Sequence, residues 1–421
     1  MPCIRDLFGG ANDVRMRLLL LLPRPLKRVL LTSLALVMLT GLGFIEDPLG
    51  LPSWVPRPLT PTNNSLTSAK IELGRHLFYD TRMSLDQSMS CASCHVQEKA
   101  FTDGQKLSMG VTGEATPRNS MSLANVAYMP VLTWANPNLT SLEVQALLPL
   151  FGEHPVEMGM AGKETLLFNR IKQDPVYQKL FREAFPREAQ RTQDDLYNIA
   201  TLTQALASFQ RSLISFNSPY DAYKYGGQPH AISAAAKRGE TLFFGEKLEC
   251  YHCHGGFNFN DNIGHVRMPF PELGFHNTGL FNLNGKGNYP QLNQGIFEFT
   301  GDQDDMGKFR TPTLRNIEVT SPYMHDGSIQ DLRSVIKDHY AVAGRSSLSS
   351  GGSNPLRSPF IRGFEISESE IHDLTEFLKS LTDKDFLNDP KHANPWQQKQ
   401  DDKKVSVTAK GSSHENRATS K

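Results

Sequence analysis

The chain has 421 residues, 39 % of them apolar, and its 44 basic side chains balance its 44 acidic ones. That length exceeds one ordinary domain and points to two, each with enough apolar residues for a core. A neutral chain with no basic stripe interleaved with aromatics lacks the electrostatic footprint of a nucleic-acid binder or of a protein held on an acidic membrane surface.

In chain order, residues 1–45 come first. Arg24, Lys27 and Arg28 precede the apolar run 29–44. A basic flank before about fifteen apolar residues reads as a secretory signal peptide, and the competing reading is an uncleaved membrane anchor. A start at Met16 leaves a more usual basic leader. Both readings export the rest of the chain and predict a periplasmic location. Residues 46–66 hold five prolines between Pro48 and Pro61, which predicts an extended linker or a strap over the surface.

Beyond this segment helical signals are good and strand signals poor. From Asp194, as cap, the spacing of Leu196, Ile199, Leu202, Leu206, Phe209 and Leu213 predicts one helix. Ser367 and Glu370 stand in capping-box spacing before a stripe of Ile371, Leu374, Phe377, Leu378 and Leu381. Gly, Pro and Asn are frequent elsewhere, so long loops connect modest helices. An internal echo, "LGRHLFYD…CASCH" against "RGETLFFGEKLECYHCH", aligns Leu77 and Phe78 with Leu242 and Phe243. The economical reading is two related domains, 67–222 and 223–390, followed by a polar, disordered tail at 391–421.

Each repeat ends in C-x-x-C-H: Cys91, Cys94 and His95, then Cys250, Cys253 and His254. In such a segment the two thiols add to the two vinyl groups of a haem, and the adjoining histidine lies under the iron. A zinc site would want a further ligand pair at close spacing, which neither motif supplies. A redox dithiol does not need the histidine. Two copies in an exported chain predict two covalently bound c-type haems. The second axial ligand decides the chemistry, since a six-coordinate haem passes electrons and a five-coordinate one reacts with peroxide. After His95 the next histidine is His154; Met109 could reach the first iron, but a loop methionine more often simply packs, so an open face is expected there. For the second haem Tyr340, His339 and Met324 are all candidates.

The segments "LGRHLFYD", "CASCH", "AFTDG", "RNSMSLANVAY", "HPVEMG", "CYHCHGG", "FRTPTLRNIEVTSPYMHDGS" and "DHYAVAG" together resemble the bacterial dihaem cytochrome c peroxidase and MauG family, in the family's order. "FGEHPVEMG" is most similar to the branch that includes MbnH, a MauG-like enzyme paired with a copper-binding protein. The resemblance implies a mainly α fold of two cytochrome c-type haem domains, the first peroxide-binding and the second electron-transferring, with a calcium ion between them. It implies Asn125, Thr320 and Pro322 as calcium ligands, the last two through backbone carbonyls, and Trp134 between the haems. This chain shows T-W-A-N-P where the family usually has F-W-D-G-R. Gln145 and Glu157 match the polar residues over the open face, where a carboxylate can shuttle a proton between peroxide oxygens. The distal histidine of the peroxidases has no counterpart here, which favours the MauG-like side. There a tyrosine ligates the second haem, matching Tyr340, with His339 one residue earlier as the rival.

The function expected from these residues is a hydrogen-peroxide-driven dihaem oxidoreductase acting on an aromatic residue of a partner protein. The rivals are a cytochrome c peroxidase fed by a small cytochrome or cupredoxin, and a dihaem electron carrier without catalysis.

Overall fold

The computed structural model describes residues 48–344 and 352–397. The expected leader, 1–45, and the tail beyond 397 lie outside the described residues. Among the described residues no helix is long and apolar enough to cross a membrane. The chain is mainly helical, with two antiparallel pairs of two-residue strands: Asn262–Ile263 with Glu272–Leu273, and Phe275–His276 with Phe309–Arg310.

Two helix pairs organise the cores. Helices α1 (Ser68–Tyr79) and α2 (Ile199–Arg211) pack in the N-terminal half; α3 (Ala234–Phe243) and α4 (Glu368–Lys379) pack in the C-terminal half. Each begins at a polar cap: the side chains of Thr67, Asn198, Ser233 and Ser367 accept backbone N–H groups of the first turn. Ser367 and Glu370 close the capping box read from the sequence. The crossings repeat the sequence echo. A Cβ on Gly74 would stand 2.0 Å from the Ala205 carbonyl oxygen and 2.8 Å from the Phe209 Cβ. One on Gly239 would stand 2.0 Å from the Asp373 carbonyl oxygen and 2.8 Å from the Phe377 Cβ. Only hydrogen fits at either crossing, so each glycine lets two helix backbones touch. Gly74→Ala and Gly239→Ala are each expected to destabilise the haem-loaded protein by about 1–3 kcal/mol through overpacking, read as a lowered denaturation midpoint. An unchanged midpoint would contradict the close crossing.

Two expectations need correction. The helix read from Asp194 is two helices: Gln193–Leu196, capped by Thr192, and α2, capped by Asn198. Tyr197 leaves helical geometry between them, and Ile199, at the start of α2, is 37 % exposed rather than part of the stripe. Asn198 offers its side chain to the Thr201 N–H, a local alternative that stops one helix and starts the next. Of the two readings of the proline-rich segment, linker or strap, its described residues form the strap. Val55 is buried, the Pro56 carbonyl accepts the Tyr128 hydroxyl, and Trp54 stacks on Tyr225 at 3.9 Å. The other correction falls on residues 391–397: assigned to the expected disordered tail, they pack onto the fold. His392 is buried, and Trp396 packs edge-on to His76 and Tyr177 while donating to the His76 carbonyl. Phe386 and Leu387 join the N-terminal core as well, so the chain returns to its first half before it ends.

Candidate haem sites

Both cysteine motifs form single helical turns. The His95 N–H donates to the Cys91 carbonyl at 3.1 Å, and the His254 N–H to the Cys250 carbonyl at 3.0 Å. Positions i, i+3 and i+4 then share a face, which brings two thiols and an imidazole together. Each ring is fixed from behind: His95 Nδ1 meets the Phe101 carbonyl at 2.7 Å and His254 Nδ1 the Phe259 carbonyl at 3.1 Å. Those carbonyls are aimed by residues with left-handed backbone, Phe101 at φ 62° and Phe259 at φ 52°. Engaging Nδ1 fixes the tautomer and presents Nε2, the arrangement a metal-ligating histidine needs. Burial lowers the pKa of both rings, keeping them neutral. It pushes the Cys91 and Cys250 thiols up to about 12 and Cys94 to about 11.

Near the first motif, Glu157 lies close enough to Cys91 and Cys94 to raise both thiols electrostatically. Its own pKa is raised, and burial is the cause. The loop that carries it is fixed by the Val111 N–H donating to the Glu157 carbonyl and the Met158 N–H to the Pro149 carbonyl. Gly110 sits against this loop, where a Cβ would meet the Val156 carbonyl at 1.9 Å. Gln145 ends the short helix Leu142–Gln145, which precedes the helix Leu147–Phe151 that carries Pro149. Met109 is 53 % exposed.

The second motif opens on a large cavity lined by Cys250, Cys253, His254, Tyr340, Met324 and Trp134. Tyr340 ends a π-helical turn, Val335–Tyr340, and its hydroxyl stands close enough to Cys250 and Cys253 for their charges, with burial, to raise its pKa. His339 is 3 % exposed and does not line the cavity. The one-residue offset on a helix separates the two side chains, as expected. A thiol pair, a tautomer-fixed imidazole and an opposed phenol around one cavity fit a c-type haem.

Trp134 links the halves. Its indole N–H donates to the Asn119 carbonyl at 2.8 Å, and it stands edge-on to His325 with centroids 6.4 Å apart. The next residue, Ser120, donates to the Cys94 carbonyl at 2.7 Å. A short covalent and hydrogen-bonded path therefore runs from the first motif through Ser120 and Asn119 to Trp134 at the second cavity.

The calcium set is not brought together as expected. Thr320 and Pro322 line the cavity, but the Asn125 amide is committed elsewhere: it donates to the Ser215 carbonyl and Asn258 Oδ1, and accepts the Ser215 N–H. Asn119, six residues earlier, lines the cavity with Thr320 and Pro322. The sequence reading also passed over His325, stacked on Phe309 at 3.7 Å, whose buried Nε2 has no partner among the described residues, and the His276–Asp261 pair beside Cys253. Neither carries a spacing signal.

Two haem-attachment turns, each with its histidine held from behind, define the class as a dihaem c-type protein. Residues 68–229 match the family model of the di-haem cytochrome c peroxidases. The chain is 33 % identical over 333 residues to the methylamine utilization protein MauG of Methylophilus methylotrophus, covering 78 % of this chain and 86 % of that one. It is 31 % identical over 376 residues to the cytochrome-c peroxidase IdrP1 of Pseudomonas sp. (strain SCT), covering 85 % and 93 %. The crystal structure of a MauG-like protein associated with microbial copper homeostasis superposes with a TM-score of 0.78 at 45 % identity, over 82 % of this chain and 99 % of that one. The chain belongs to the dihaem cytochrome c peroxidase and MauG family, whose members are oxidoreductases with two haems.

Proposed function

We propose that this chain is an exported, periplasmic oxidoreductase driven by hydrogen peroxide that oxidises an aromatic residue of a partner protein. The observation that carries the reading is the place of Tyr340, in the cavity with Cys250, Cys253 and His254 while His339 is buried outside it. A phenolate ligand stabilises highly oxidised iron, whereas methionine raises the potential.

Two haems, which Cys91, Cys94 and His95 and then Cys250, Cys253, His254 and Tyr340 would hold, would supply iron chemistry towards peroxide. The protein supplies the rest. His95 and His254, with Nδ1 held from behind, would ligate the irons through Nε2. The Glu157 carboxylate takes a proton from the near peroxide oxygen and returns it to the far one, with Gln145 holding that oxygen by its amide. Trp134 carries electrons between the two sites, so a partner protein can be oxidised at a distance. Thr320 and Pro322 offer carbonyl oxygens to a calcium ion, a hard oxygen-seeking cation, with the Asn119 amide in the role first expected of Asn125.

Because Glu157 acts deprotonated and burial raises its pKa, the peroxide rate should fall as pH drops through a value above the ordinary glutamate range. Stopped-flow rates against pH test this; an acid limb unchanged in Glu157→Gln would contradict it. Tyr340→Met should keep both haems and raise the midpoint potential of the second, read by spectroelectrochemistry. An unmoved potential would remove Tyr340 as the ligand. Met324 lines the same cavity and favours the second reading, a cytochrome c peroxidase. That reading requires rapid turnover with a reduced small cytochrome or cupredoxin.

A further inference from the structure

Two arginines of the segment 309–316 are buried, and the fold treats them differently. Arg315 is 1 % exposed, and its guanidinium makes two bonds of 2.9 Å to the Asp221 carboxylate and two more to the Phe257 carbonyl. Arg310 is 5 % exposed, and its Nε donates to the Thr133 carbonyl at 2.8 Å. Among the described residues its two terminal nitrogens reach only thioether sulfurs, Met129 at 3.1 Å and Met121 at 3.0 Å. Thioethers are weak acceptors. Among the described residues no carboxylate pairs with Arg310, and burial alone lowers its pKa, to about 10. An isolated buried cation is strongly unfavourable unless something neutralises it.

The residue cannot swing out to water. Its backbone N–H donates to the Trp134 carbonyl at 2.8 Å, and it is paired across the short sheet with Phe275. It lines the cavity shared by Cys250, Cys253, His254 and Tyr340. The group missing from this cavity's charge balance is therefore an anion with planar, two-oxygen geometry, for which a guanidinium is the matching fork.

We propose that Arg310 receives a propionate carboxylate of the haem attached at Cys250 and Cys253, in a charge-assisted pair. The inference rests on haem attachment at that motif. The pair fixes the acidic edge of the haem on the side of Trp134. It also sets the haem's potential, because without the guanidinium the propionate's negative charge is left uncompensated in a dry site and favours ferric iron.

The test uses the haem-loaded protein with Arg310→Met, which keeps bulk and removes charge, and Arg310→Lys, which keeps charge and loses the fork. Intact mass counts covalent haems and so reads the underlying assignment separately. Spectroelectrochemistry, with the haems assigned by spin resonance, should show Arg310→Met shifting the reduction equilibrium of the second haem at least tenfold towards ferric, 59 mV for a one-electron couple. Arg310→Lys should shift it less, and the first haem should not move. Both potentials unmoved with two haems attached, or a shift confined to the haem at Cys91 and Cys94, would overturn the proposal. If Arg310→Met does not fold, resonance Raman of Arg310→Lys decides: a displaced propionate bending band supports the pair, and an unmoved one overturns it.

Discussion

Glu157→Gln is expected to slow the reaction of the all-ferric protein with peroxide by about 10²–10⁴-fold, the usual contribution of one positioned proton-transfer group. The substitution keeps shape and polarity but removes the ability to accept and return a proton. Two facts make this carboxyl the stronger candidate of the pair expected over the first haem. It lies within electrostatic reach of both Cys91 and Cys94, and burial raises its own pKa. Elsewhere in the same half, Glu143 is held by Arg211, Asn64 and Ser141 and its pKa is pulled down to about 2, as befits a structural carboxylate. Glu157 has the opposite environment: burial raises its pKa above the ordinary carboxylate range, which favours a proton-exchanging role. The rate is read by stopped flow, with intact mass confirming two haems. A rate within about twofold of the parent would move the proton-handling role away from Glu157.

The second large effect concerns the attachment turns themselves. Changing Cys91 and Cys94 together to alanine should leave one covalent haem, at Cys250 and Cys253, and abolish the peroxide reaction. Changing Cys250 and Cys253 together should also leave one haem, with peroxide still binding at the first site but without storage of the second equivalent. The two double variants thus lose the same mass and different chemistry. Their folds are expected to suffer comparably, because each motif follows the first helix of an equivalent pair crossing at a glycine. Intact mass and peroxide-induced optical change measure the two outcomes. Equal peroxide reactivity in both variants would contradict the division of labour.

The sequence was most informative where local chemistry is self-announcing. The C-x-x-C-H turns, the capping box at Ser367 and the paired G-x-x-L-F segments are short, and their residue types have few other uses. The echo even located the glycines on which each helix pair crosses, although nothing in the sequence said which helix would lie opposite. What stayed hidden depends on distant contacts. The carbonyls behind His95 and His254 come from Phe101 and Phe259 in left-handed backbone, a conformation phenylalanine does not advertise. Asn125 and Asn119 are both asparagines in one loop, and only the packing of Asn125 on Ser215 and Asn258 tells them apart. Arg310 and Arg315 share one segment, and only the position of Asp221 separates the paired charge from the unpaired one. Trp396 looked like the edge of a polar tail because its partners, His76 and Tyr177, lie more than two hundred residues away in sequence.

The most direct test of the central claim is an optical and spin-resonance titration of the all-ferric, haem-loaded protein with one equivalent of hydrogen peroxide. The account predicts an immediate, long-lived change involving both haems, without prior reduction. A protein that responds only after one haem has been reduced would be a conventional dihaem peroxidase. A protein inert in both states would be an electron carrier, and either result would contradict the proposal.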